Sequence, residues 1–144
     1  MLKTILWGGE ILEDWKIKIS VLWLLNLVTS LGYMIFSIFE PGALQQFLST
    51  GEIGGMKMGP EILLIGAIEI VLVPFVMAFL TLILKDLMNR WSNIILGIVY
   101  TVLGVLTFGE ALGKLSAYGT LMTFLILITA PLIVWYAWKS KQKA

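Results

Sequence analysis

Four long apolar stretches, about 17–39, 61–84, 92–112 and 116–138, set the terms on which this chain can fold. Each is near or above the ~20 residues that carry an α-helix across the ~30 Å hydrocarbon layer of a bilayer. Hydrocarbon offers no water to backbone N–H and C=O groups, so a stretch of this kind satisfies them within its own helix. The chain is 59% hydrophobic and 13% charged, whereas a soluble domain is ~45–50% apolar and ~25% charged. Too little remains of the 144 residues to build a water-soluble core. The expected fold is all-α, an integral membrane four-helix bundle that forms a single membrane domain over 1–144, with 1–16 as an interfacial segment.

What is missing narrows the chemistry. There is no cysteine, hence no disulfide, thiol redox chemistry or iron–sulfur cluster. There is no histidine, the usual ligand of haem and zinc and the usual base of a serine hydrolase. No lysine lies deep in a span to form a Schiff base. The expectation is no cofactor and no metal. A net charge of +1 gives no electrostatic footprint for nucleic acid. Met1 to Trp7 is too short for the apolar region of a cleaved signal peptide, and Glu10, Glu13 and Asp14 follow it, so the first span is expected to act as its own insertion signal.

Residues 1–16 mix apolar and charged side chains in the manner of a short interfacial helix interrupted at Gly8-Gly9. In the first span Asn26, Thr29, Ser30, Tyr33 and Ser37 recur at steps of three and four and share one face, expected to point into the bundle. Glu40-Pro41-Gly42 ends that helix, and the 40–60 connection carries a candidate surface helix at Ala43 to Leu48 and a glycine-rich turn region after it. Leu87 to Trp91 is expected as a tight turn into the third span, with Asn89 or Ser92 as its cap. Gly97, Thr101 and Gly104 form a small-residue seam for close helix packing. Pro131 marks a kink site in the fourth span, which closes on Trp135, Tyr136 and Trp138. Lys3, Lys16, Lys18, Lys85, Arg90, Lys139, Lys141 and Lys143 fall on one side and only Lys57 and Lys114 on the other. The positive-inside rule then predicts a multi-pass protein of the cell membrane with both termini cytoplasmic.

Two residues stand out inside the second span. Glu69 is an acid in hydrocarbon, at a cost of ~2.5–3.5 kcal/mol on insertion scales. Pro74 removes a backbone donor and would leave the carbonyl of Ile70 without its usual partner, a site for a kink or hinge. Both are tolerated when neighbouring helices satisfy them. The candidate ligand-binding set is Glu69, Asn26, Ser30, Tyr33 and Tyr100, with no catalytic residue assigned.

Four short stretches carry a resemblance to a family: Lys16-Ile17-Lys18-Ile19-Ser20 with Leu22-Trp23, Pro74 with Met77, Asn89-Arg90-Trp91-Ser92-Asn93-Ile94, and Trp135-Tyr136-Ala137-Trp138-Lys139. Together they resemble an uncharacterised family of small prokaryotic four-helix membrane proteins, classed as a domain of unknown function. In topology the chain is also loosely similar to the DoxX-like group. The leading expectation is a non-enzymatic protein that binds or passes a small ligand in a polar-lined interior centred on Glu69. Its expected partners are membrane lipid and either further copies of itself, meeting through the Gly97/Gly104 seam, or a larger membrane complex. The alternative is an accessory subunit of such a complex. A lipid- or quinone-modifying enzyme using Glu69 and a tyrosine ranks below both.

Overall fold

The computed structural model describes residues 6–7, 10–11, 14–53, 56–114 and 116–140. It is helical, and four of its helices are long and apolar enough to cross a membrane. We number the helices α1 (Asp14–Ile38), α2 (Ala43–Thr50), α3 (Pro60–Ile83), α4 (Asp86–Gly113) and α5 (Ala117–Lys139). Two antiparallel strand pairs accompany them: β1 (Leu6–Trp7) with β2 (Glu10–Ile11) before α1, and β3 (Glu52–Ile53) with β4 (Met56–Lys57) between α2 and α3.

The expected interfacial helix at the N-terminus is therefore replaced by a strand pair. A Gly-Gly step between short apolar-polar segments is a hairpin signal, and it outweighs the helical spacing there. Gly8 and Gly9 themselves lie outside the described residues. The surface helix in the 40–60 connection forms as α2, two residues longer than expected. Its ends are glycines in the left-handed region, Gly42 at φ 85° and Gly51 at φ 70°, where a side chain would be strained.

A further correction concerns the α3–α4 junction. The expected turn over Leu87 to Trp91 is helical, because α4 already starts at Asp86, an acid in the first turn where the helix dipole favours it. The connection is only Leu84 and Lys85, both extended. Asn89 thus lies inside α4 and does not cap its start; its Nδ2 instead donates to the Thr81 carbonyl in the last turn of α3 at 2.6 Å. The end of α3 is closed from outside: Lys16 Nζ reaches the Leu84 carbonyl at 3.3 Å and Asp86 at 2.6 Å, tying α1 to the junction. At α5, Ser116 Oγ accepts from the Gly119 N–H at 3.2 Å, an ordinary N-cap.

Round the bundle the order is α3, α1, α5, α4. The closest packing joins α5 to α4 and to α1, and α1 to the second half of α3. The buried core is Ile19, Trp23, Met77, Ala78, Ile94, Tyr100, Ala130, Ile133 and Ala137. All of these but Tyr100, which sits halfway along α4, lie toward the α3–α4 junction. The first half of α3, Pro60–Leu72, buries no residue. The α3 helix is thus packed in its second half and open in its first, while α4 and α5 stay packed toward that end and bury Gly104, Ala111, Gly119 and Thr123 there. Its outer surface is apolar, with Val28, Phe79, Leu106 and Trp138 all exposed, far beyond the patches a soluble monomer shows.

Candidate functional site

The α3 helix changes register where the packed half gives way to the open half. Residues Ala67–Leu72 form a π-turn, in which the Val73 N–H bonds the Ile68 carbonyl five residues back. In that register the Glu69 carbonyl should receive the N–H of residue 74, and residue 74 is Pro. The orphaned acceptor is therefore the carbonyl of Glu69, where regular α-helical pairing would have orphaned Ile70. Tyr100 supplies the missing donor: its hydroxyl reaches from α4 and bonds the Glu69 carbonyl. Pro74 itself is fully buried.

The same register change sets the side chain. In an unbroken α-helix Glu69 would stand about 140° round the axis from Pro74, close to the outward side. One extra residue in the turn brings it back by about 100°. Glu69 and Ile70 are half-buried, whereas Ile68, Val71 and Leu72 are exposed. At ~1.5 Å per residue, Glu69 and Tyr100 both lie about 20 Å from the α3–α4 junction, so two antiparallel helices bring them to one level. Among the described residues the Glu69 carboxylate has no hydrogen-bond or ion-pair partner.

Between this level and the α3–α4 junction lies a buried polar network that residue types and spacing alone did not assemble. Trp23 Nε1 donates to Asn93 Oδ1 at 2.6 Å, and Asn93 Nδ2 donates to Asn89 Oδ1 at 2.6 Å and to the Asn89 carbonyl at 2.8 Å. Asn89 Nδ2 donates to the Thr81 carbonyl at 2.6 Å. Ser20 Oγ donates to the Ala78 carbonyl at 2.7 Å. All five side chains are buried. Trp23 also meets Tyr100 edge to face, ring centroids 5.2 Å apart, which holds the tyrosine whose hydroxyl serves Glu69. A signal was present. Asn89 and Asn93 lie at steps of four on the α4 face that also carries Gly97, and Thr81 continues the α3 face of Pro74, Met77 and Ala78.

The other residues of the candidate set do not converge on the Glu69 carboxylate. Asn26 is buried, and its Nδ2 donates to Thr129 Oγ1 on α5 at 3.3 Å, while its Oδ1 has no partner among the described residues. Tyr33 packs at the opposite end, where a Cβ on Gly119 would lie 3.5 Å from its Cε2. Ser30 is half-buried on α1. Thr29 and Ser37 of the same stripe bond carbonyls of their own helix, Leu25 at 2.7 Å and Met34 at 2.7 Å. Pro131 lies exposed on α5, which continues through it.

The small-residue seam packs closely against a neighbouring helix, and that helix is α5. A Cβ on Gly97 would lie 2.6 Å from Val134 Cγ2, and one on Gly104 would lie 3.3 Å from Ile126 Cγ2. Thr101 Oγ1 bonds the Gly97 carbonyl at 2.7 Å. The seam is filled by α5 of the same chain, so it is not free to join a second copy.

What these features define is a small bundle of four bilayer-length apolar helices with an acid at a π-turn in the second. The chain belongs to DUF6326, a family of unknown function, whose match covers residues 6–144. No curated protein and no solved structure matches it. The looser DoxX-like similarity gains no support from these comparisons.

Proposed function

We propose that this chain is a multi-pass membrane protein, both termini cytoplasmic, that binds and passes a small cationic ligand at Glu69, without catalysis. One observation carries the reading. The π-turn at Pro74, braced by Tyr100, leaves an acid in an apolar span half-buried, its carboxylate without a hydrogen-bond or ion-pair partner among the described residues. Ionisable groups within spans are costly and mark ion or proton paths by default, and π-turns recur at functional sites. The carboxylate accepts hydrogen bonds and carries negative charge, so the ligand it suits is a proton or a small cation. The test is proton uptake by vesicles holding the protein and a pH-sensitive dye, driven by a potassium diffusion potential. Wild type should exceed protein-free vesicles, and Glu69→Gln should lower that excess at least tenfold. Equal uptake by the two would remove Glu69 from the path.

The accessory-subunit reading is favoured by a different observation, the first half of α3, which buries no residue within its own chain. Copurification of a stoichiometric membrane partner, lost when Leu64 or Ile68 is replaced by Trp, would support it. Isolation of the chain alone from its native membrane would count against it.

A further inference from the structure

A cavity of about 320 Å³ lies at the open end of the bundle, between the last turn of α1, helix α2, the β3–β4 pair and the first turn of α3. Met34, Ile38, Leu44, Phe47, Ile53 and Met58 supply most of its wall. Among the described residues the one polar side chain in the wall, Ser37, already donates to the Met34 carbonyl at 2.7 Å. A water needs two to four polar partners, so this space does not hold water. An apolar void of this size is vacant only at the expense of lost packing, so it suits an apolar guest. At ~30 Å³ per water-sized group it takes about ten methylenes.

We propose that the guest is one acyl chain of a membrane glycerophospholipid. This rests on the reading that the four helices cross a bilayer. The cavity opens to the side rather than into the core: Met34 is 46% exposed, Phe47 40% and Leu63 52%. The surfaces flanking the mouth are apolar too, with Phe39 and Leu48 each 77% exposed. The wall belongs to the end of α1 and the start of α3, where a bilayer-length bundle meets the boundary of the hydrocarbon layer. At that depth the neighbours are acyl chains. Helix α2 carries no charged residue and roofs the cavity between its two glycine ends, and two methionines give the wall an adaptable surface. Among the described residues no cationic side chain lines it, so recognition is of the acyl chain and is indifferent to headgroup.

The experiment uses full-length protein in phosphatidylcholine vesicles doped with a phosphatidylcholine whose acyl chain bears a photoreactive diazirine. Peptide mass spectrometry then reads the adducts. Met34, Phe47 and Met58 should carry at least fivefold more label per residue than Leu106, which is exposed on the outer face of α4. Ala43→Trp, which fills the cavity, should cut that label about tenfold and leave Leu106 unchanged. Ile53→Trp, filling it from the other side, gives the same reading if the first variant does not fold. Exchange of the probe's headgroup for phosphatidylglycerol should change nothing. Label spread evenly over exposed residues, or unchanged in both filled variants, overturns the proposal alone. No label even at Leu106 overturns both it and the membrane reading.

Discussion

Tyr100 is the residue on which the arrangement at Glu69 depends, and the reason is a single unmet acceptor. Its hydroxyl serves the carbonyl that Pro74 cannot. Tyr100→Phe should therefore cost about 1 kcal/mol in reversible unfolding from mixed micelles. In a Pro74→Ala background, where residue 74 regains an N–H, the same change should cost nearly nothing. An equal cost in both backgrounds would mean that the tyrosine acts through packing alone. Asn93 is the second residue of this kind, since its amide joins Trp23, Asn89 and Thr81. Asn93→Leu should cost about 1–2 kcal/mol, with altered Trp23 fluorescence, because membrane hydrogen bonds average ~0.6 kcal/mol and several are lost together. The identity of Glu69, Pro74 and Tyr100 as a group worth attention could be read from residue types. Which atom of Glu69 the tyrosine meets could not, because that depends on a register shift fixed by tertiary contact.

At the scale of the elements, the four long helices were legible from apolar run length, within three residues at most ends. The start of α4 was missed by six residues, since Asp86, Asn89 and Arg90 read as a polar turn while they in fact form the first helical turn over a buried network. The Gly97/Gly104 seam was visible as spacing, but spacing does not say whose backbone approaches. Gly97→Ala would place a methyl 2.6 Å from the stiff Val134 side chain, so it should destabilise by about 1–3 kcal/mol, with recovery in Val134→Ala. Gly109→Ala meets nothing within 4 Å and should be neutral or stabilise by up to about 1 kcal/mol through helix propensity. Thermal unfolding of the two variants in one detergent separates them. If both behave alike, the close α4–α5 approach is wrong.

For the whole molecule, the packed end carries the Lys16–Asp86 link and the polar network, and the open end carries Glu69 and the lipid-facing cavity. The division follows from residue size and polarity. Small and amide side chains at Asn89, Asn93, Gly97, Ala130 and Ala137 let helices approach closely, whereas the Leu and Ile run from Ile62 to Ile65 stays exposed. The natural sequence has no cysteine, so single cysteines report topology cleanly. With both termini cytoplasmic, Ser49→Cys should react with a membrane-impermeant maleimide added outside right-side-out vesicles, and Ser140→Cys only after permeabilisation. The opposite pattern would invert the proposed orientation. The same background permits the most direct test of an inward-turned acid: single cysteines at Ile68, Glu69, Val71 and Leu72, treated in vesicles with a small charged methanethiosulfonate that reacts only with hydrated thiols. The account predicts fast modification at position 69 and none at 68, 71 or 72. Position 69 as unreactive as its neighbours would show the side chain among acyl chains and contradict it.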